Sequence, residues 1–177
     1  MKYLYVGATP EAEREAFNAV RGRVESEFGI AVREMELAPL DFAYDRERGQ
    51  YASIAVLEML ARACPPDAVK LLAVTERDLY IPVLTFVFGQ AQLNGRVAVV
   101  SLARLRQEFY GLAPNREILL ERTLKEALHE TGHTFGLVHC ADRHCAMSLS
   151  TNVRQIDSKR CEFCAPCGAR LRRGKRE

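Results

Sequence analysis

The spacing of hydrophobic and polar positions divides the first part of the chain into alternating strands and helices. Residues 2–7 have the aromatic and β-branched content of a short strand. After Pro10, apolar residues recur at helical spacing, and this pattern predicts a helix that ends at Gly29. Residues 30–37 then predict a second strand. The predicted buried face of the helix consists of Phe17, Val20, Val24 and Phe28.

The middle of the chain continues this alternation. Residues 38–50 are rich in charged and aromatic side chains and predict a connecting loop. Residues 52–63 have the spacing of a helix, which Pro65 terminates because proline cannot donate a backbone hydrogen bond. The apolar run at residues 69–74 is typical of a buried strand.

A hairpin and a long helix follow. Asn94 and Gly95 form the dipeptide that most strongly favours a two-residue hairpin turn, because both residue types tolerate the positive φ angles of such a turn. Residues 84–92 and 96–102 are therefore predicted to be paired strands, at least one of them near a sheet edge. Residues 117–135 have the apolar spacing of a long helix.

The order of these elements predicts an α+β fold in which helices pack on a mixed sheet. The character of the chain changes at Gly136, beyond which regular structure is difficult to assign and cysteines become frequent. We therefore expect two parts. A larger lobe over residues 1–136 carries the long helix, and a small cysteine-rich lobe extends over residues 137–177.

Composition narrows the class of protein without identifying it. A chain of 177 residues, with 48% hydrophobic and 27% charged residues, is typical of a soluble globular protein. The net charge of +2 is too small to indicate a nucleic-acid or membrane partner. The basic end at residues 170–177 predicts a solvated tail, with a weak anion contact as the alternative. Neither a membrane span nor a signal peptide is recognisable, so we expect a cytoplasmic protein.

All four histidines of the chain lie within residues 129–144. His129 and His133 are four residues apart, so that on a helix their imidazoles lie on one face, one turn apart. This arrangement suits two ligands of one zinc ion. Glu130 lies next to the first ligand and is placed to act on a water molecule at the metal. The sequence HisGluThrGlyHis is thus an HExxH motif with two ligands and a general base.

The continuation of this motif makes it much more specific. Gly136 lies three residues after His133 and can take the positive φ at which a helix ends. His139 follows three residues later and is placed to turn back as a third ligand. The full pattern, HExxHxxGxxH, leaves the fourth zinc position open, as in a catalytic site. The alternatives are a surface helix that binds nothing and a bound metal without turnover.

The motif resembles that of the metzincin zinc peptidases, which carry a methionine in a tight turn beneath the zinc. Met147, eight residues after His139, is the candidate for this methionine. The interval is shorter than in most metzincins, and the run HExxHxxGxxHCxxxxCxM looks like the signature of the archaemetzincins. Residues 86–91 and 96–105 and the later CysAlaProCys also look like that family. The resemblance therefore covers most of the chain.

The resemblance implies a zinc-dependent peptidase that acts on peptide or protein substrates, with a leaning towards short peptides and aminopeptidase-like action. Glu130 would take a proton from the attacking water and pass it to the leaving amine. An extended substrate would pair with an exposed strand edge, supplied by residues 86–91 or 96–102. Some metzincins place a tyrosine just after the turn methionine, but here SerLeuSer follows Met147.

Five of the six cysteines lie in the last third of the chain, a distribution that indicates a metal site and not a disulfide framework. Two close pairs, Cys140 with Cys145 and Cys164 with Cys167, suit a closed structural zinc. The resemblance implies the same four ligands, whereas spacing alone also allows Cys161 to replace one of the last two. A lobe of about 40 residues buries too little apolar surface to fold alone, so zinc would stabilise it. We therefore expect two zinc ions per chain, one catalytic and one structural.

His144 lies between the cysteines of the first pair, outside both ligand sets. It is interpreted as an exposed loop histidine, with a substrate contact near the cleft as the alternative. The rival function is a two-zinc binding module for a protein or nucleic acid, supported by the cysteines and the basic tail. Because such a module needs no open three-histidine site beside a glutamate, we favour the peptidase and expect neither a membrane nor a nucleic-acid partner.

Overall fold

The strands and helices follow the alternating pattern of the sequence. The computed structural model describes residues 2–174. Its strands are β1 (Tyr3–Ala8), β2 (Val32–Glu36), β3 (Tyr44–Asp45), β4 (Gln50–Ala52), β5 (Ala68–Thr75), β6 (Leu79–Tyr80), β7 (Gly89–Ala91) and β8 (Val97–Ser101). Its α-helices are α1 (Arg14–Phe28), α2 (Ser53–Ala63), α3 (Arg116–Thr134), α4 (Val153–Ser158) and α5 (Ala165–Gly174). Single turns of 3-10 helix lie at Asp41–Ala43 and Gln107–Tyr110.

Within residues 2–174, the main sheet has the strand order β2-β1-β5-β8-β7 and a smaller sheet has the order β3-β4-β6. The first four strands of the main sheet run parallel, whereas β7 pairs antiparallel with β8. The connection between β7 and β8 turns one residue earlier than predicted, at Leu93 and Asn94, because the N–H of Gly95 donates to the carbonyl of Gln92. Asn94 has the expected left-handed φ, of 53°, whereas Gly95 does not have a positive φ. The predicted α+β fold with a mixed sheet is confirmed. In the described part of the chain, β7 forms one edge of this sheet and β8 is paired on both sides.

Helices cover both faces of the main sheet, because successive side chains of a strand point to opposite faces. On one face, Val74 of β5 and Val100 of β8 belong to the core that contains α1 and α3. On the other face, Leu71 and Val99 belong to the core that contains α2. All of β8 is buried, as expected for a strand with helices on both sides. This arrangement fixes α3 mainly against β8 and the edge strand β7.

The first helix shows how directly the apolar pattern sets the fold. The four side chains of its predicted buried face are each at most 1% exposed. Gly29 ends the helix with a φ of 59°, and its N–H donates to the carbonyl of Glu25. The predicted face and end are confirmed. The start lies at Arg14, later than expected from Pro10, because the chain first makes a turn in which the N–H of Ala12 donates to Thr9.

Two predicted elements differ from the structure. The strand predicted over residues 84–92 pairs with β8 only at Gly89–Ala91, because turns and bends at residues 82–85 carry the chain out of the sheet. The predicted loop at residues 38–50 contains a turn of 3-10 helix and the short strand β3. Both of these elements are too short to leave a periodic pattern in the sequence.

The chain beyond Gly136 is more regular than the sequence suggests. The helix α5 buries Cys167 and Leu171 and includes residues 170–174 of the predicted solvated tail, whereas residues 175–177 lie outside the described residues. Side chains from this region share one core with α1 and α3. The division into two lobes at Gly136 stays a prediction. Among the helices of residues 2–174, none has the length and apolar character needed to cross a membrane.

Candidate active site and metal centres

The helix α3 places two of the predicted histidine ligands on its buried side. The helix begins at Asn115, whose side chain accepts a hydrogen bond from the N–H of Ile118. Further along, Nδ1 of His129 lies 2.8 Å from the carbonyl oxygen of Ala146. Nδ1 of His133 lies 2.7 Å from the carbonyl oxygen of Leu137. Because a carbonyl only accepts, each Nδ1 donates a proton, and each Nε2 keeps its lone pair when the ring is neutral.

The free Nε2 atoms of these two rings face each other at 3.0 Å. Burial lowers the pKa of His129 well below its ordinary value and also lowers the pKa of His133, so both rings are neutral at physiological pH. Two lone pairs at that separation repel unless a cation lies between them. His139 joins the group, since the ligand atoms of the three histidines all lie within 4.8 Å of one another. This donor set fits a zinc ion.

The third histidine reaches the site because α3 ends abruptly. Gly136 has a left-handed φ of 84°, and its N–H donates to the carbonyl of His133 at 2.9 Å. The N–H of Asn94, in the hairpin turn, donates to the same carbonyl at 2.9 Å. The helix end is thus attached to the β7–β8 hairpin, and the chain reverses to bring His139 back towards His129. The ring centroids of these two histidines lie 5.3 Å apart.

Met147, the candidate turn methionine, lies in a turn closed by the N–H of Ser148 and the carbonyl of Cys145 and packs against α3 at Gly132. Its side chain is fully buried, and a β-carbon added at Gly132 would lie 2.6 Å from its sulfur. Only glycine at position 132 therefore allows this close packing. The preceding residue, Ala146, supplies the carbonyl that orients His129. The turn at the methionine thus both supports the helix and fixes the tautomer of one predicted ligand.

Glu130, the predicted general base, is only 6% exposed and lies against the edge strand. A β-carbon added at Gly89 of β7 would lie 2.7 Å from Cγ and 2.8 Å from Oε1 of Glu130, and 2.6 Å from the carbonyl oxygen of Val99. Burial raises the pKa of Glu130 well above its ordinary value, and the nearby carboxylate of Glu126 raises it further. Gly89 is thus a site residue that the HExxH motif does not indicate.

A buried ion pair lies close to Glu130, and no pattern in the sequence predicts it. Lys159 Nζ lies 3.1 Å from Oε1 of Glu126, and their side chains are 0% and 4% exposed. Glu126 lies one helical turn before Glu130, whereas Lys159 follows α4 and is 33 residues away in the chain. Next to Arg160, this lysine has the pattern of a solvated cation. The pair links α3 to the C-terminal segment.

Glu130 and the three predicted histidine ligands line a cleft of about 520 Å³. Its walls are the segment that leads into β7, the strand β7 itself, the metal face of α3, and parts of residues 138–151. The lining is mainly apolar. The apolar side chains that line it include Leu84, Phe86, Val87, Phe88, Leu93, Val138 and Leu149. An extended peptide with apolar side chains fits this chemistry.

The predicted cysteine ligands come together in a second group. The sulfur atoms of Cys140, Cys145, Cys164 and Cys167 all lie within 4.8 Å of one another. Those of Cys140 and Cys164 are 3.7 Å apart, and a tetrahedral zinc with bonds of about 2.3 Å places its sulfurs about 3.8 Å apart. Within residues 2–174, Cys161 is not part of this group.

Two backbone N–H groups donate hydrogen bonds to a sulfur of this four-cysteine group. The N–H groups of Met147 and Cys164 donate to the sulfur of Cys145 at 3.4 and 3.3 Å. Donors of this kind stabilise a thiolate. Because Cys140 directly follows His139, the two ligand groups are covalently adjacent. His144 belongs to neither group; it is exposed, and its Nδ1 lies 2.9 Å from the carbonyl oxygen of Ser158.

Together, the sheet with its edge strand and the three-histidine group beside a buried glutamate define a zinc metallopeptidase. The family model described as peptidase family M54 matches residues 26–173. The chain belongs to this family.

Known relatives agree with this assignment. The archaemetzincin of Methanocaldococcus jannaschii is 43% identical over 152 residues, which cover 84% of this chain and 83% of the relative. The crystal structure of archaemetzincin from Methanopyrus kandleri superposes with a TM-score of 0.86 at 37% identity, over 99% of this chain and 97% of that one. The structure of a zinc-dependent peptidase from Methanocorpusculum labreanum gives 0.86 at 31% identity, over 95% and 99%. The resemblance to the archaemetzincins is confirmed.

Proposed function

We propose that this protein hydrolyses short peptides from their amino ends, with one zinc ion held by His129, His133 and His139. The observation that carries this proposal is the pair of Nε2 lone pairs at 3.0 Å beside a buried glutamate in an apolar cleft. A binding module without turnover has no use for a buried carboxylate at this position. A cytoplasmic location is part of the proposal, since the cysteine ligands must stay reduced.

Zinc, Glu130 and the ion pair of Glu126 and Lys159 have separate roles in the proposed hydrolysis. When bound, zinc supplies a Lewis acid for the attacking water and the substrate carbonyl. Glu130 accepts a proton from the water and passes it to the leaving amine. Burial raises the pKa of Glu130, which makes its carboxylate a stronger base. The ion pair of Glu126 and Lys159 leaves the cleft without an unpaired charge beside this base.

The open edge of β7 is the proposed binding site for the substrate backbone. In the described chain this strand is paired on one side only, and its residues line the cleft. An extended peptide that adds to this edge satisfies its free backbone groups and lies across the metal face of α3. Residues 96–102, the other candidate, offer no free strand edge, because β8 is paired on both sides within residues 2–174.

The proposed second zinc, bound by Cys140, Cys145, Cys164 and Cys167, has a structural role. Four thiolates close its coordination sphere, so it offers no position to a substrate. It would connect the loop that carries His139 to the start of α5 and stabilise the C-terminal segment.

Removal and restoration of metal tests the proposed function. Protein loaded with two zinc ions should release amino acids from the free amino ends of a short-peptide library, and chelation should abolish this release. Zinc should restore it, because three neutral ligands hold the catalytic ion less firmly than four thiolates hold the structural one. Mass spectrometry of the digests is the measurement. Cleavage of N-acetylated peptides at equal rates would contradict exopeptidase action, and no cleavage with two zinc ions bound would contradict the peptidase.

Replacing Gly89 by alanine should lower kcat for peptide hydrolysis by about 10²-fold. The added carbon would collide with Glu130 and with the backbone of β8, and a displacement of the general base by about 1 Å has a cost of this size. The matched control is Gly22→Ala in α1, where a β-carbon meets nothing within 4 Å. Steady-state kinetics and thermal unfolding of both variants provide the measurement. An unchanged kcat in the Gly89 variant would show that this contact does not position the base.

A further inference from the structure

A second concavity adjoins the cleft and differs from it in chemistry. It has a volume of about 510 Å³ and is lined by Arg143, His144, Ser148, Arg154 and Gln155, among others. We refer to it as the basic pocket. Leu149 lines both the cleft and the basic pocket, so the two are neighbours. A substrate that lies in the apolar cleft therefore meets a positively charged surface beyond this leucine.

The guanidinium groups of Arg143 and Arg154 are not paired with a carboxylate. Both side chains are exposed, and within residues 2–174 neither guanidinium group forms a hydrogen bond or an ion pair. The nearest carboxylates along the chain are engaged elsewhere. Asp157 accepts two bonds from the guanidinium of Arg122, at 2.7 and 2.8 Å. Asp142 accepts from the backbone N–H of His144 at 2.9 Å. Two guanidinium groups thus remain free for a ligand.

Uncharged hydrogen-bond donors also line the basic pocket. The side-chain oxygen of Gln155 accepts from the N–H and the hydroxyl of Thr151, at 2.7 and 3.1 Å, which leaves the amide NH₂ group as a donor. Ser148 adds a hydroxyl. The ring of His144 is held by the carbonyl of Ser158 and so has a fixed orientation at the rim. A guanidinium group can donate hydrogen bonds to both oxygens of a carboxylate, and uncharged donors nearby can donate further hydrogen bonds to it.

We propose that the basic pocket is a substrate subsite that binds a carboxylate of the peptide. The carboxylate is either the C-terminal group of a short peptide or an acidic side chain near the scissile bond. The inference rests on the proposed peptidase function and extends it. The cleft selects apolar residues, and the basic pocket selects peptides that present a negative charge just beyond them.

Three versions of one apolar pentapeptide test this subsite. The first has a free C-terminal carboxylate, the second is amidated, and the third is amidated with one internal glutamate. A contact between a carboxylate and one exposed guanidinium group changes affinity by up to about 5-fold, so with two such groups kcat/KM should be about 10-fold higher for at least one charged peptide than for the neutral one. The double variant Arg143→Gln, Arg154→Gln should lose this advantage, so that kcat/KM becomes similar for the three peptides.

Further controls distinguish a failure of the proposed carboxylate subsite from a failure of the proposed peptidase function. The double variant Arg172→Gln, Arg173→Gln removes the same two positive charges from the exposed side of α5 and should keep the preference. Binding of the same peptides to the Glu130→Gln variant, measured by calorimetry at low and high salt, should show the preference without turnover, weaker at high salt. The first and third peptides identify the source of the carboxylate. Equal hydrolysis of all three peptides would overturn the subsite and leave the peptidase intact, whereas hydrolysis of none would contradict the peptidase itself.

Discussion

Replacement of Glu130 by glutamine should lower kcat/KM for peptide hydrolysis by about 10³-fold, the usual scale of a general base. Glutamine has nearly the same shape as glutamate and can pack in the same way against Gly89, but it cannot accept the proton of the attacking water. The three histidines proposed as ligands are unaltered, so the variant should bind as much zinc as the unaltered protein. Steady-state kinetics and metal analysis on the same preparation give both quantities.

The same helix offers a matched control for this substitution. Glu117 lies in the exposed first turn of α3, far along the helix from the histidines, and Glu117→Gln makes the same chemical change there. This variant should retain full activity. If Glu130→Gln hydrolysed peptides at the original rate, Glu130 would not be the general base. If it lost its zinc as well, the loss of activity would reflect the metal site and not proton transfer.

Replacement of Cys145 by serine should remove one zinc ion per chain and lower the free energy of unfolding by more than about 4 kcal/mol, a size reached when a structural metal is lost. Cys145 is only 1% exposed, and its sulfur accepts two backbone N–H groups. Serine is a poor zinc ligand, so the three remaining thiolates would lose their shared cation. Because Ala146 follows directly and orients His129, activity should fall as well.

Cys161→Ser provides the control for the structural zinc. Cys161 lies outside the group of four sulfurs that residues 2–174 form, although the spacing of the sequence allowed it as a ligand. This variant should bind two zinc ions and unfold at nearly the original denaturant concentration. Metal analysis and urea unfolding of both variants are the measurements. Two zinc ions and full stability in Cys145→Ser would show that the cysteines do not hold a structural metal.

The parts of the fold that depend on residues close together in the sequence could be predicted from local patterns. The buried face of α1, its end at Gly29 and the turn at Asn94 each follow from a few consecutive residues, and the structure has all three. The grouping of His129, His133 and His139 also followed from spacing, since one helix and one turn bring them together.

Features that depend on distant contacts left no such pattern. Lys159 is buried only because Glu126 on another element neutralises it, and nothing around it in the sequence indicates that partner. Gly89 must be glycine because Glu130 packs on it, a constraint that crosses from α3 to β7. The short helix α4 is anchored by one buried side chain, Ile156, which is too little to produce a helical periodicity.

The helix α3 is buried along most of its length, and this burial determines the order in which segments of the protein open by local unfolding. His129 and His133 lie in the segment whose exposure requires the opening of the main core, the costliest fluctuation available to the molecule. His139 lies on an exposed segment whose opening disturbs far less buried surface. Partial opening should therefore release one of the three proposed ligands and retain two, so that catalysis would end while the tertiary structure persists.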